Sequence, residues 1–415
     1  MDQVTIVGGG IIGLCSAYYL NKAGYKVIVI ERGNLTDGCS FGNMGFISPS
    51  HFVPLASPGI ISEGFKYMLS SSSPFYVKPR INLDFIKWGY NFYRNSNEKT
   101  AKKNGVPLYG ILKLSRSLIK DLTEDLGDTF NLEEKGCLMM CRQEGTLAHE
   151  HELATAGELL GLKVERLSGK EVQQLEPDVE VRVAGAVLFK DDCHFDPGKL
   201  MKQLADHLKI KGVEFHLHTT VSGFEKKNKK VTAVLTPNEK ITCDHVVIAA
   251  GSWLPVMARM LGSRMLLQPG KGYSYTYEAI ENNIKYPAIL VDGRCAISPW
   301  GSKLRIGGTM ELSGINNTVL LKRMQGIYNS VKNFYPGLHI DPPAAEKIWH
   351  GLRPVTPDGL PYLGKSNKLD NVIFAGGHAM LGLSQGTGTG KVVTEIIQGK
   401  TPSADISAFN PDRYS

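Results

Sequence analysis

Residues 1–32, MDQVTIVGGGIIGLCSAYYLNKAGYKVIVIER, read as strand, glycine turn, helix, strand and terminal acid. Gln3 to Val7 are a short β-rich run, and residues 11–23 carry apolar positions at helical period. Gly24 stops that helix, and Lys26 to Ile30 form a second buried strand that ends at Glu31. Gly8, Gly10 and Gly13 supply a G-x-G-x-x-G spacing. Gly8 permits the tight turn, Gly10 lets backbone N–H groups approach a pyrophosphate, and Gly13 lets helix and strand pack closely. The positive end of the helix then faces the phosphates. Glu31 lies about 20 residues beyond the turn, where an acid accepts ribose hydroxyls. Strand, helix, second strand and acid agree, so the glycines signal a bound dinucleotide. These residues do not distinguish FAD from NAD.

The rest of the chain is consistent with an elaborated globular enzyme. Its 415 residues suffice for two domains or one large one, with 42% apolar and 21% charged residues. A net charge of +7 and a pI near 8.8 are mildly basic. The densest basic cluster, Lys226, Lys227, Lys229 and Lys230 around Asn228, reads as a hairpin tip without interleaved aromatics, which argues against nucleic-acid binding. Seven scattered cysteines without Cys-x-x-Cys suggest a reduced compartment and no metal site. No apolar run approaches the roughly 18 residues of a membrane span, and a core strand at the start leaves no signal peptide in the sequence as given. The expected location is cytoplasmic, with peripheral contact at the inner face of the membrane as a further expectation. That contact rests on residues 85–94, FIKWGYNFYR, which mix aromatics and cations as an interfacial helix does; packing on the substrate domain is the rival reading.

Residues 51 to about 130 read as mostly helical, including FKYML (65–69), LDFIKWGYNFYRN and LYGILKLSRSLIKDL. KGCLMMCRQ and GAVLFKDD read as strands, and residues 197–211 as an amphipathic helix. A meander and a buried strand, VVIAA, follow and close on Gly251. Residues 264–312 are β-rich, and the chain ends in a strand, NVIFAGG, and a helix over 386–398. First and last segments therefore share one sheet. The expected fold is α/β plus antiparallel β: a Rossmann-like nucleotide domain interwoven with an antiparallel-sheet substrate domain. The nucleotide domain is expected to take residues 1–50, 145–260 and 344–415, and the substrate domain 51–144 and 261–343.

Six motifs in order resemble the FAD-dependent D-amino-acid oxidase superfamily, the bacterial D-amino-acid dehydrogenases most of all. They are VGGGIIGLCSAYYL with Glu31-Arg32, CSFGNMGFISPS (39–50), CHFDPGKLMKQLADHLKIKGVEF (193–215), DHVVIAAGSW (244–253), GLRPVTPDGLPYLG (351–364) and NVIFAGGHAMLGLSQGTGTG (371–390). The resemblance implies FAD as the dinucleotide. It implies cofactor contacts at Gly8, Gly10, Ile11, Ile12, Gly13, Glu31, Arg32, Ser40, Asn43, Gly45, Val221, Gly251, His378, Gly382, Leu383 and Ser384. It also implies that Arg353 grips the substrate carboxylate, a task its planar fork suits. Relatives that tether flavin covalently carry a cysteine where this chain has Gly351, so non-covalent FAD is expected. Met380 stands where some relatives place a second arginine.

Tyr273 and Tyr275 sit at i and i+2 of a strand and share a face. One phenol is expected to donate to the carboxylate beside Arg353, with core packing as the rival reading. His194 and His350 lie near site segments, although a satisfied core histidine is the commoner case. The reaction implied is hydride transfer from Cα of a D-amino acid, proline-like ones included, to flavin N5. Electrons would pass to a quinone or another acceptor. A glycine- or sarcosine-type oxidase using oxygen is the alternative, and a flavoprotein sensor without turnover is a third. No side chain stands out as a general base.

Overall fold

A computed structural model describes residues 1–60, 62, 73–127 and 130–415. The expected helical run at 65–69 lies outside the described residues. The opening strand Gln3–Val7 sits inside a six-stranded sheet, parallel to Lys26–Ile30 on one side and to His245–Ile248 on the other. Glu214–His216 and Val372–Gly376 extend the parallel set, and Tyr362–Lys365 adds an antiparallel edge. The first and last segments thus share one sheet, as the sequence pattern requires.

Both sheet faces are covered, so its strands are apolar on both sides. Val4, Ile6, Val27 and Val29 pack with the helix Ile11–Lys22 and the C-terminal helix Gly382–Ile397. Ile28, Ile30, Val246 and Ile248 pack instead against a three-stranded antiparallel layer, Gly223–Lys227, Lys230–Leu235 and Lys240–Thr242. Asn228, at the basic hairpin tip, takes φ +55°. The helix Pro197–Ile210 begins where it does because Asp196 Oδ1 accepts from Gly198 N at 2.9 Å and Lys199 N at 3.2 Å, with proline at its first position.

The C-terminal helix starts at Gly382, earlier than the sequence pattern suggests. Its glycines are packing devices. A Cβ on Gly390 would lie 2.5 Å from the Cys15 carbonyl group, and one on Gly388 would lie 3.0 Å from Ile111 O. Close backbone approach to two helices, Ile11–Lys22 and Glu98–Leu126, explains the 386–390 repeat.

The second layer is a large mixed sheet. Its core runs from Trp349–Val355, here the clamp strand, to Gln268–Tyr277 and then to Lys303–Leu312, here the bulged strand. Cys295–Trp300 and Ala288–Leu290 follow, then Cys137–Cys141, Gly185–Phe189 and Val164–Ser168. Most pairs are antiparallel, but Ala288–Leu290 runs parallel to Cys137–Cys141, and Phe75–Val77 parallel to the bulged strand. Sheet membership departs from the expected division at two places. Val164–Ser168 and Gly185–Phe189 complete the large sheet, although 145–260 was expected with the nucleotide domain. The clamp strand, within 344–415, also belongs to the large sheet. Strand pairing between distant segments decides both, and sequence order does not display it. Among the described residues, no helix is long and apolar enough to cross a membrane.

Candidate active site

The glycine turn separates into positions the chain itself demands and positions it leaves open. Gly8 has φ +110°, and a Cβ there would sit 2.4 Å from Ala249 O. A Cβ on Gly13 would fall 1.9 Å from Gly8 O. Protein packing requires both glycines. Gly10 is different, because within 4 Å a Cβ there would meet, among the described residues, Ser40 Oγ at 3.4 Å, an ordinary contact. The space over Gly10 suits a group from outside the chain. Gly10 caps a helix with no acidic residue in its first turn, so the positive helix end is left for an anion.

The remaining nucleotide residues gather around this turn. Glu31 accepts from Gly9 N and Gly33 N, each at 2.7 Å, which pins its carboxylate at the strand end. The Arg32 guanidinium stacks 3.8 Å from the Trp253 ring centroid, just beyond Gly251. Gly251 takes φ +51° with nothing near its Cβ position. Ile11, Ile12 and Val221 are buried nearby in the two cores. Ser40 Oγ accepts from Ile11 N at 3.0 Å and ties the 39–50 loop to the helix start. Asn43 Oδ1 accepts from Gly45 N at 3.0 Å, and Gly45 passes so close to Phe195 O that a Cβ would lie 2.0 Å from it.

Beyond this loop opens a cavity of about 980 Å³. The C-terminal helix frames one side. Ser384 Oγ donates to Phe46 O at 2.9 Å and accepts from Ser48 N at 3.2 Å, next to buried Leu383. A Cβ on Gly382 would have only Ile11 nearby, at 3.9 Å. His378 lies behind this wall, with Nε2 3.1 Å from Thr389 Oγ1. Burial pushes it down to about 3, so it stays neutral at physiological pH.

Arg353 lies in the cavity wall, over a floor of glycines. A Cβ on Gly272 would sit 2.2 Å from its Cζ, so only glycine leaves room for the guanidinium. Its Nη1 donates to Thr309 O, and its Nη2 approaches Gly308 O at 3.4 Å. Among the described residues no carboxylate pairs with it. Burial pushes its pKa down, because a desolvated cation lacks compensation. The rest of the fork is left for a planar anion. In the same cavity wall, the Trp349 ring is held between glycines, since a Cβ on Gly42 or on Gly351 would each come within 2.1 Å of it.

Neither tyrosine phenol is bonded to Arg353. Gly272 and Ser274 face Arg353 and the 39–50 loop, so Tyr273 and Tyr275 take the opposite sheet face. The Tyr273 phenol donates to Glu311, which also pairs with buried Lys271 at 3.4 Å. Tyr273 still borders the cavity, whereas Tyr275 packs edge-to-face on Tyr277, 4.7 Å between centroids, and does not line it. His194 is buried, with Nε2 3.0 Å from Pro299 O, and His350 is half-buried opposite Tyr273; neither lines the cavity. Met380 does line it.

The cavity wall also holds two residues the sequence did not single out. His51 is pushed down to about 4 by burial and meets Ser50 Oγ at 3.1 Å, which in turn donates to Asp192 at 2.6 Å. Thr309 stands at a break in the bulged strand. The Gly-Gly pair before it, within a strand pattern, was the available signal for a bulge.

A dinucleotide turn opening into a cavity whose wall holds an arginine, paired with no carboxylate among the described residues, describes a dinucleotide-dependent enzyme for an anionic substrate. The chain belongs to the FAD-dependent oxidoreductase family, whose profile matches residues 3–396. It is 32% identical over 411 residues to the D-amino acid dehydrogenase of Helicobacter pylori, covering 98% of each chain. The D-amino acid dehydrogenase of Granulibacter bethesdensis is 29% identical over 422 residues, covering all of both chains. Glycine oxidase from Geobacillus kaustophilus shares the fold, with a TM-score of 0.81 at 23% identity over the whole of both chains. L-Proline dehydrogenase from P. horikoshii does so at 0.77 and 19% identity, over 100% of this chain and 97% of that one. The open space over Gly10, the acid-free helix start and the cavity beyond them fit FAD.

Proposed function

We propose that this protein is a D-amino-acid dehydrogenase that binds FAD non-covalently. The observation that carries this reading is Arg353: a half-buried fork in the wall of the cavity, bonded among the described residues to carbonyls and to no carboxylate. FAD supplies the hydride acceptor when bound. Arg353 holds the substrate carboxylate by paired N–H donors and fixes Cα in the cavity, and such positioning is a large part of the rate. The names of the full-length relatives support D-amino acids as the substrate class. Proline-like side chains suit the apolar wall provided by Met44, Leu55 and Leu381. Non-covalent flavin is supported at Gly351, where a cysteine Cβ would collide with Trp349.

We take the acceptor to be a quinone or another electron carrier. Leu83, Ile86, Tyr90 and Tyr93 are exposed along the helix Leu83–Asn95, with Lys87 and Arg94 beside them. That stripe supports peripheral contact with a membrane surface, where a quinone resides. The test is anaerobic bleaching of the bound flavin by paired D- and L-amino acids, followed by air. Bleaching by D-forms only, with slow peroxide formation afterwards, is expected. Bleaching by neither series would overturn the reading, and rapid stoichiometric peroxide would favour an oxidase of the glycine or sarcosine type.

A further inference from the structure

We propose that the Thr309 hydroxyl is a substrate contact that donates to the same carboxylate Arg353 holds, so that the two residues form one receptor. The inference rests on the assignment of Arg353 to the substrate carboxylate.

The bulged strand breaks its register at this point. Tyr273 pairs with Gly308 and Lys271 with Glu311, so Thr309 and Met310 together face Gly272 alone. The insertion puts Thr309 at φ +67°. A β-branched side chain is disfavoured there, and glycine would be relaxed. The same conformation aims the Thr309 carbonyl at Arg353 Nη1. The residue is 5% exposed and is among those lining the cavity, yet Oγ1 is shielded from solvent and has no hydrogen-bond partner among the described residues. Among the nearby buried hydroxyls, Ser274 donates to Gly42 O at 3.1 Å and Ser298 to Met44 O at 2.7 Å, whereas Ser48 Oγ, like Thr309 Oγ1, has no partner among the described residues. An orphaned buried hydroxyl and a strained backbone are two penalties at one residue, and glycine would remove both. A carboxylate seated on Arg353 has lone pairs beyond those the arginine fork uses, and it would satisfy the hydroxyl once rotation about χ1 turns Oγ1 toward the cavity.

The test is a titration of the FAD-loaded enzyme with pyrrole-2-carboxylate, an unreactive carboxylate, read by the flavin absorbance change. Thr309→Val keeps shape and branching and deletes the hydroxyl. It should raise Kd by about 10- to 100-fold, as loss of a hydrogen bond to a charged group does. Thr309→Ser should stay close to the parent, and FAD affinity should be unchanged in both. Thr309→Gly supplies an independent arm: a higher melting temperature together with weaker carboxylate binding. A Val or Gly variant that binds the carboxylate like the parent overturns the proposal. So does loss of FAD affinity in place of carboxylate affinity, which would give the hydroxyl to the cofactor. Failure of the parent to bind the carboxylate overturns the receptor as a whole. Failure of D-amino acids to bleach the flavin would remove the proposed activity while leaving this titration readable.

Discussion

The glycine turn and the arginine wall are both built around glycines, but their glycines answer to different partners. At the turn, Gly8 and Gly13 make room for backbone a few residues away or in the adjacent strand. At the wall, Gly272 makes room for the side chain of Arg353, about eighty positions further on in the chain. The first kind of constraint is local and repeats in a short motif. The second exists only once three distant strands have paired, with a bulge in one of them. The comparison teaches that cofactor binding can be encoded in one stretch of sequence, whereas substrate binding is assembled by topology.

Breaking the turn should have the largest effect. Gly13→Ala forces a Cβ against Gly8 O, and overpacking of that kind typically costs about 1–3 kcal/mol, more where backbone must move. We expect a protein that is poorly folded and free of flavin, measured by denaturant midpoint and absorbance. Gly10→Ala sharpens the contrast, because the chain leaves space there. The apoprotein should keep its midpoint while FAD affinity falls; a matching loss of stability would show that Gly10 is also a packing glycine.

Breaking the wall should leave the cofactor in place. Gly272→Ala pushes on the Arg353 guanidinium, and a displacement on the order of 1 Å costs about 100-fold in rate. The expected result is a fall in kcat/KM for amino acids with normal FAD content. Unchanged kinetics would mean that the glycine floor does not position the clamp.

The last contrast concerns pH dependence. His378 is depressed from 6.5 to about 3, so below pH 6.5 the unfolded chain takes up its proton first. Its contribution is complete above pH 6.5 and is lost as pH falls towards the folded value, by about 1.4 kcal/mol per pH unit at most. His378→Gln should therefore lose less stability than the parent between pH 6.5 and 4. Parallel curves of denaturant stability against pH would contradict that.

Legibility followed the same divide. The turn, its helix and Glu31 could be read from 32 residues, because each reason is local. Arg353 was legible only by motif resemblance; nothing in GLRP says that its guanidinium would lack an acid. The phenols of Tyr273 and Tyr275 were expected beside it because they share a face, but alternation cannot say which face. Gly272 and Ser274 face Arg353 and the 39–50 loop, and the phenols point away from Arg353, to Glu311 and Tyr277. Thr309 was illegible for a related reason. A bulge is a property of two strands, and only its Gly-Gly prelude is visible in one.

The most direct test of the account compares anaerobic flavin reduction by D-proline and by pyrrolidine, which lacks the carboxylate, in the parent and in Arg353→Gln. The parent should strongly prefer D-proline, and the variant should lose most of that preference while retaining FAD and pyrrolidine oxidation. An Arg353→Gln enzyme that still discriminates as the parent does would contradict the assignment of Arg353 as the carboxylate clamp.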